Sequence, residues 1–290
     1  MQKKFQVKIA FSISPEKSSF SPLLFAGDLY KGLLAAKDFG YDGVELSLRD
    51  SKELEQEKII KTLENLELKV FSIATGQSYF NDGFSFSSDD KELRKNAIER
   101  VKGHIDFAQA LNCSLIVGGI LGNIKVKFGQ GYEVEKKVTD CFCQCLEYAK
   151  EKNVFILFEP INLYLTYFVC TLDEGADFIK HLGYENLELI PDTHHMHMEE
   201  KSMKQSLINH INLFHYIHFS DSNRQAPGFG NINFQNVVDT LKQQKFNGVI
   251  SFEVLPVPDD MTAAKQAMDY LKFLLYSYHK KYSYGLMNKH

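Results

Sequence analysis

Short runs of β-branched and aromatic residues alternate along the chain with longer segments whose apolar residues recur at helical spacing. Such runs predict strands, because these side chains pack well on a pleated surface, and the longer segments predict amphipathic helices. The strand pattern occurs eight times, in VKIAFS (7–12), GVELS (43–47), KVFSIAT (69–75), SLIVGG (114–119), VFILFEP (154–160), LELIPDT (187–193), FHYIHFS (214–220) and GVISFEV (248–254). Strands that alternate with helices in this way predict a parallel sheet.

The order of the elements favours one closed barrel. No long linker or change of composition divides the chain, so residues 1–290 are expected to form a single domain. Closing eight strands into a (β/α)8 TIM barrel is the most economical arrangement at this length. An open, doubly wound sheet is the alternative, but no G-x-G-x-x-G follows the first strand. The predicted fold class is therefore α/β, a (β/α)8 TIM barrel.

Three segments carry local predictions. Residues 27–43 repeat apolar side chains at helical spacing, and Gly40 is expected to end that helix. The polar, glycine-bearing segment 76–96 is predicted to be a loop over the mouth of the barrel. The tyrosine-rich tail 277–290 is expected to be peripheral, and the chain to form a homo-oligomer, either a dimer or a tetramer.

Composition and charge narrow the class of protein. A net charge of −4 and a pI of about 6.2 argue against a nucleic-acid or membrane surface. No apolar run approaches the ~20 residues that a membrane helix needs. The N-terminus lacks a signal-peptide pattern and the five cysteines are odd in number, which predicts a cytoplasmic protein. Cys141, Cys143 and Cys145 do not face one another on a helix, so free thiols are expected rather than a zinc site.

Polar residues stand where four predicted strands end. Strands five to eight end in Glu159, Asp192, His218 and Glu253. Active sites of (β/α)8 barrels lie at the carboxyl ends of the strands, and a divalent cation is the common way to neutralise converging carboxylates. An oxygen-rich set of this kind is suited to Mn²⁺ or Mg²⁺, while the histidine is also compatible with Co²⁺ or Zn²⁺.

The stretch PDTHHMHMEE (191–200) is interpreted as one corner of this site. After Asp192, His195 is close enough to point back towards a substrate, whereas His194 and His197 are expected to face away or towards solvent. Glu199 and Glu200 are interpreted as the acidic first turn of the following helix.

A second loop follows His218, in HFSDSNRQAPGFG (218–230). Arg224 can reach substrate oxygens as a fixed cation. The glycines around Pro227 predict a tight turn, for which phosphate binding is a weaker hypothesis.

Together these stretches resemble the xylose-isomerase-like barrel superfamily. The similarity covers nearly the whole chain and is carried by GYDGVELSLRD, TGQSYFNDGFSF, RKNAIERVKGHIDFAQALN, FEPIN, PDTHHMHMEE, HFSDSNRQAPGFGNINF and GVISFEVLP. Within that superfamily the chain is similar in pattern to ketose 3-epimerases, namely tagatose and psicose 3-epimerases, and to hydroxypyruvate isomerase. The resemblance implies a metal-dependent isomerase or epimerase of sugars or sugar phosphates that transfers a proton through a metal-stabilised enediolate.

The same resemblance implies roles for individual residues. The four strand-end residues match the family's metal ligands, and Glu159 and Glu253 also match its two acid–base carboxylates. His195 and Arg224 match positions that bind oxygens at the carbonyl end of the substrate. The implied cofactor is one divalent ion, and the implied partner is a small carbohydrate.

One segment departs from the family pattern. Many of these epimerases read Glu-Pro-Leu-Asn-Arg-Tyr-Glu after strand five, whereas Leu163 and Leu165 stand here at the positions of the arginine and the second glutamate. The metal site is expected to survive this change, but the substrate is expected to differ.

Two alternatives remain open. A barrel that kept the metal but lost polar contacts could bind a sugar or a partner protein without turnover. A metal-dependent endonuclease of the same superfamily is less favoured, because strands three and four end in ATGQS and GGILG, without the histidines that such an enzyme needs.

Overall fold

The computed structural model describes residues 5–18 and 22–276, and within them the eight predicted strands are all present. Each is confirmed, and most are shorter than the apolar run that predicted them. The strands are β1 (Lys8–Ile13), β2 (Gly43–Ser47), β3 (Lys69–Ala74), β4 (Ser114–Val117), β5 (Ile156–Phe158), β6 (Leu187–Leu189), β7 (Tyr216–Phe219) and β8 (Val249–Phe252).

The strands pair in parallel in the order β6-β5-β4-β3-β2-β1-β8-β7. Between β6 and β7 the barrel is joined at its carboxyl end by a parallel bridge between Asp192 and His218. There the His218 N–H donates to the Pro191 carbonyl at 2.9 Å. The single-domain (β/α)8 barrel is therefore confirmed, and its seam passes through two of the predicted site residues.

Helices cover the outside of the sheet. In the described part of the chain they are α1 (Leu29–Phe39), α2 (Gln56–Leu66), α3 (Gly76–Asp82), α4 (Lys91–Leu111), α5 (Tyr132–Glu151), α6 (Leu172–Leu182), α7 (Thr193–Glu199), α8 (Met203–His210), α9 (Phe234–Gln243) and α10 (Asp260–Tyr276). The Asp28 carboxylate caps α1, and Gly40 ends it with a φ of 80°, a left-handed conformation that glycine adopts without strain. The prediction for Gly40 is confirmed.

Two apolar layers hold the barrel together. The larger lies between the sheet and the helices and includes buried phenylalanines such as Phe142, Phe158 and Phe178. The smaller fills the barrel interior with Ala10, Ala74, Ile116, Leu157, Ile190, Tyr216 and Val249. Successive strand residues point to opposite faces of the sheet, so alternate residues form this inner layer. The ends of the strands are not part of it and can carry polar groups.

The loop predicted for residues 76–96 is wrong in part. Helix α3 occupies its first residues and α4 begins at Lys91. The buried face of α3 is polar: Gln77 donates to the Ser47 carbonyl and Ser78 to the Arg49 carbonyl. A pattern of apolar residues therefore does not predict this helix. Gly76 and Phe80 nevertheless line the cavity at the barrel mouth, as expected of a covering segment.

The other predictions from composition have mixed outcomes. Cys141, Cys143 and Cys145 are free thiols on α5. Among the residues described, no helix combines the length and the apolar character required to span a bilayer. The tail 277–290 lies outside the described residues. The oligomeric state and the cytoplasmic location stay predictions.

Candidate active site and metal centre

Four side chains converge at the carboxyl ends of the last four strands. Glu159 directly follows β5, Asp192 lies beyond β6, His218 belongs to β7 and Glu253 directly follows β8. One ligand atom from each lies within 4.8 Å of the others. The structure thus brings together all four residues that the sequence assigned to a metal, and we call them the strand-end cluster.

Local geometry fixes two members of this cluster. Asp192 begins α7: its Oδ1 accepts the backbone N–H of His194 at 2.7 Å and that of His195 at 3.3 Å. This leaves Oδ2 to contact Arg224 at 2.5 Å and to lie 3.7 Å from His218 Nδ1. Glu159 lies against Gly118, where a Cβ atom would stand 2.9 Å from Glu159 Oε2, so a side chain at residue 118 would displace the carboxylate.

A buried carboxylate that the sequence pattern did not predict, Glu45, lies beside His218. Glu45 Oε2 on β2 lies 2.9 Å from His218 Nε2, and it accepts from the Tyr216 hydroxyl at 2.9 Å and the Ser72 hydroxyl at 3.1 Å. His218 Nδ1 faces the cluster, 3.0 Å from Glu159 Oε1. A ligating histidine commonly donates its second N–H to a carboxylate in this way. The signal in the sequence was an acidic residue in the middle of the strand GVELS.

The carboxylates of the cluster have different pKa values. Burial raises the pKa of Glu253 to about 8, against the lowering effect of Arg224 and His218. Burial also raises the pKa of Glu159, although its bond to His218 opposes this. For Asp192 the effect of burial is outweighed by Arg224, His195 and His218, which hold its pKa well below the ordinary value.

The imidazole of His218 lies among the carboxylates of the cluster. Burial alone would lower its pKa, but Glu45, Asp192 and Glu159 together raise it well above the ordinary value. The surrounding carboxylates therefore favour a positive charge at this position, which a divalent ion would supply with His218 as a neutral ligand.

His195 and Arg224 stand beside the cluster, in the wall of the cavity. The Arg224 guanidinium contacts Asp192 Oδ2 at 2.5 Å and Glu253 Oε2 at 2.9 Å, and its Nη2 lies 3.2 Å from His195 Nε2. His195 is 4% exposed, and burial lowers its pKa to about 3, so the ring is neutral at physiological pH.

A cavity of about 410 Å³ opens above the cluster. Its wall combines charged and polar residues with apolar ones. The apolar residues of its wall are Pro22, Ala74, Phe80, Ile116, Ile161, Leu165, Met198 and Leu255. Its size is in the range of pockets for small molecules.

Two predictions for the stretch 191–200 are wrong. His194 does not face away: it is half-buried, lines the cavity and places Nδ1 3.1 Å from the Asp221 carbonyl. Glu199 and Glu200 lie at the end of α7 rather than in the first turn of the next helix. The reason is that Asp192 caps the helix directly, so the histidines form its first turns. His197 is exposed, as predicted.

In the turn that follows Arg224, the backbone amides are already bound by a carboxylate of the protein itself. The Asp221 carboxylate accepts the backbone N–H groups of Gly228 at 2.8 Å and Ile232 at 3.1 Å. These amides are the donors that a phosphate would need, so the geometry does not support the phosphate hypothesis for this turn.

The chain is thus a (β/α)8 barrel with a candidate metal site, three carboxylates and a histidine, at its strand ends. Residues 33–274 match the family model described as xylose isomerase-like TIM barrel. This chain belongs to that family.

The relatives of the chain are named as epimerases or isomerases of sugars and related compounds. It is 28% identical over 224 residues to L-ribulose 3-epimerase of Methylomonas sp. (strain DH-1), covering 77% of each chain. It is 23% identical over 252 residues to inosose isomerase of Halalkalibacterium halodurans, covering 83% of this chain and 88% of that one. These relatives are isomerases, and the prediction of an enzyme of that class is confirmed.

Solved structures support the fold. The structure of D-allulose 3-epimerase from Methylomonas sp. in complex with D-allulose aligns with a TM-score of 0.78 and 22% identity, covering 92% of this chain and 96% of that one. The family model and the named relatives confirm the superfamily assignment from the sequence, and the endonuclease and the non-catalytic barrel are not favoured.

Proposed function

We propose that this chain is a divalent-metal-dependent sugar epimerase or isomerase that moves a proton next to the substrate carbonyl. The observation that carries the proposal is the pairing of Glu159 and Glu253, two carboxylates with raised pKa values, at one cavity beside a third carboxylate and an imidazole. A group that removes and returns a proton near neutral pH works best when its pKa is close to that pH.

The donor set fits a cation. Three carboxylate oxygens and one imidazole nitrogen, all largely buried, suit Mn²⁺ or Mg²⁺ and are compatible with Co²⁺ or Zn²⁺. The holding residues would be Glu159, Asp192, His218 and Glu253. A bound cation would supply Lewis acidity, which makes the proton beside a carbonyl easier to remove.

The remaining chemistry belongs to the side chains. Glu159 and Glu253 are the proposed acid–base pair, one taking the proton and the same or the other returning it. Return to the same carbon on its opposite face inverts that carbon, and return to the neighbouring carbon moves the carbonyl. His195 and Arg224 are proposed to bind the substrate oxygens at the carbonyl end, as two fixed donors in the cavity wall.

The substrate class follows from the relatives and from the cavity. Relatives named as L-ribulose, D-psicose and ketose 3-epimerases indicate a ketose. Because Asp221 already uses the turn amides at 228–232, an unphosphorylated sugar is favoured. Leu165, in the apolar wall, favours a ketose that is smaller or that lacks the hydroxyl which a glutamate would meet.

The test is solvent deuterium incorporation. The protein, loaded with Mn²⁺ or Mg²⁺, is incubated in deuterated water with ketoses, deoxyketoses, ketose phosphates and small hydroxy-aldehydes. Incorporation at the carbon next to the carbonyl, lost after chelation, is expected. A ligand that raises the melting temperature without any exchange would instead identify a binding protein and contradict the proposal.

A further inference from the structure

His195 is held by a residue to which no role has been given, Asn162. Both side chains are 4% exposed, and Asn162 Nδ2 lies 2.7 Å from His195 Nδ1. The backbone N–H of Asn162 also points at the same ring nitrogen, at 3.4 Å. One residue thus aims two of its groups at a single atom of the ring.

The direction of these contacts can be determined from backbone groups. The Tyr164 backbone N–H donates to Asn162 Oδ1 at 3.1 Å. A backbone N–H can only donate, so the atom it meets must be the amide oxygen, and the amide nitrogen must be the atom that faces His195. The opposite orientation would place two donors against each other at Tyr164.

Two donors at Nδ1 determine the form of the ring. Neither the amide nitrogen nor the backbone N–H of Asn162 can accept a hydrogen bond, so Nδ1 must offer a lone pair. An imidazolium has no lone pair, and the tautomer with its proton on Nδ1 has none there either. The ring is therefore neutral, with its proton on Nε2.

One contact favours the opposite tautomer. Arg224 Nη2, also a donor, lies 3.2 Å from His195 Nε2. The guanidinium is already bound by Asp192 and Glu253, which account for its position without any bond to the ring. At Nδ1, both groups of Asn162 can only donate, and the Tyr164 backbone N–H prevents the amide from turning round. These two hydrogen bonds determine the tautomer more strongly than the single Arg224 contact at Nε2.

We infer that Asn162 is a positioning residue that fixes His195 in its Nε2–H tautomer, so that the ring presents a hydrogen-bond donor to the cavity. Asn162 contacts His195 and the Tyr164 backbone, and it acts through the imidazole. The consequence for a substrate rests on the proposed function: the N–H would meet an oxygen at the carbonyl end, and only this tautomer can stabilise negative charge there.

The tautomer can be read directly by NMR. The intact protein is labelled with ¹⁵N-histidine, loaded with Mg²⁺, and studied by long-range ¹H–¹⁵N correlation, which distinguishes protonated from unprotonated ring nitrogens. The chain has ten histidines, and the His195 signals are assigned by their loss in His195→Gln. We expect an unprotonated Nδ1 and a protonated Nε2 for His195. A proton on Nδ1 in the unmodified protein would overturn the inference, whatever the variants do.

The positioning role is tested with Asn162→Asp, which replaces the donor by an acceptor of the same shape. The new carboxylate should draw a proton onto Nδ1 of His195. Leu163→Asp is the matched control: it adds the same charge to the same turn, on a residue that does not line the cavity, and should leave the His195 signals unchanged. An unaltered Nδ1 in Asn162→Asp, or the same change in both variants, would show that Asn162 does not set the tautomer.

Activity gives an independent reading. With a substrate identified by deuterium exchange, Asn162→Asp is expected to lower kcat by ~10²-fold or more, the scale of losing one oriented donor. Metal content should stay near that of the unmodified protein. If the chain has no isomerase activity, the proposed function fails while the NMR result still decides the tautomer.

Discussion

The strand-end cluster and the rim turn that carries Leu163 and Leu165 both contribute residues to the cavity at the barrel mouth, yet they are held in place differently. In the cluster, each charged group contacts a partner of opposite charge at 2.5–3.0 Å. In the rim turn, the backbone is fixed, with the Leu163 N–H bonded to Glu199 and the Leu165 N–H to the Asn162 carbonyl. Its leucine side chains are 41% and 38% exposed.

This difference suggests that the cluster residues and the rim residues tolerate substitution differently. Cluster residues depend on one another, because removing one partner of a buried pair leaves an uncompensated charge that costs about 3–5 kcal/mol. A rim side chain can change at little cost to the fold, since its turn is held by backbone groups. The proposed acid–base reaction thus depends on residues of the barrel, while the substrate can vary with the residues of the rim turn.

The largest expected effect comes from Glu253→Gln, which keeps the shape of the side chain but removes a proposed acid–base group. We expect kcat/KM to fall ~10²- to 10⁴-fold, the usual contribution of such a group. The measurement is deuterium exchange and steady-state turnover on the same substrate. Glu151→Gln, an exposed carboxylate at the end of α5, is the matched control. Less than a tenfold loss in Glu253→Gln would remove this residue from the chemistry.

Chelation tests whether the cluster shares a cation. A ligand that binds only the folded state stabilises it by about 2.7 kcal/mol at one hundred times its Kd. Treatment with a chelator should therefore lower the free energy of unfolding by about this amount, as measured by urea titration, and abolish activity. Asp192→Asn should lose the response and Leu165→Ala should keep it. Equal stability with and without chelator, and no metal by elemental analysis, would contradict a metal centre.

His195 and Arg224 lie between the two regions and are proposed to bind substrate, not metal. His195→Ala and Arg224→Ala should each lower kcat/KM by ~10²-fold or more, the scale of losing an oriented, charge-assisted contact. Metal content, measured on the same preparations, should stay near one ion per chain. A His195→Ala protein that loses its metal would show that this residue belongs to the cluster.

The sequence predicted the cluster better than its surroundings. Glu159, Asp192, His218 and Glu253 each end an apolar run, and parallel strands in a barrel bring such ends together. Glu45 was not predicted because it lies within a strand and not at its end. A buried acid at that place is explained only by its contacts with His218 and Tyr216. That pairing joins β2 to β7, a contact between distant parts of the chain that local periodicity does not encode.

The helices around the mouth were predicted less well, for a related reason. Helix α3 buries Gln77 and Ser78, and α7 buries His195, so neither shows the apolar stripe by which a helix is recognised. Their buried polar groups are satisfied by the backbone of neighbouring strand ends and by Asn162. Near a functional site, buried side chains are stabilised by hydrogen bonds as well as by apolar contacts, so a hydrophobic pattern no longer predicts the helices.

Two buried histidines extend the comparison to acid stability. Carboxylates raise the pKa of His218, whereas burial lowers that of His104 on α4 from 6.5 to about 3. Below pH 6.5 the unfolded chain protonates His104 and the folded chain does not, so this residue alone lowers the free energy of unfolding by about 1.4 kcal/mol per pH unit towards pH 3. His104→Gln should flatten this dependence in urea titrations between pH 6.5 and 5. An unchanged slope would show that His104 does not contribute to it.

The smallest expected effect concerns the rim itself. A leucine at residue 165 can neither donate nor accept a hydrogen bond, so it cannot meet the substrate hydroxyl that a glutamate would bind. A buried polar group without a partner costs ~1–3 kcal/mol, so ketoses that carry this hydroxyl should be poor substrates and deoxygenated or smaller ones should be preferred.

Leu165→Glu should therefore raise kcat/KM on fructose- or tagatose-type ketoses by about tenfold, equivalent to about 1.4 kcal/mol. It should leave the metal content unchanged, because the four residues that could hold the ion do not include Leu165. Leu163→Glu is the matched control, since Leu163 lies on the same turn but does not line the cavity. A gain in both variants would indicate a general effect of charge. If the unmodified protein already epimerises these ketoses at ~1–10³ s⁻¹, ordinary for an enzyme, then Leu165 does not set the substrate and the rim is not the selective region.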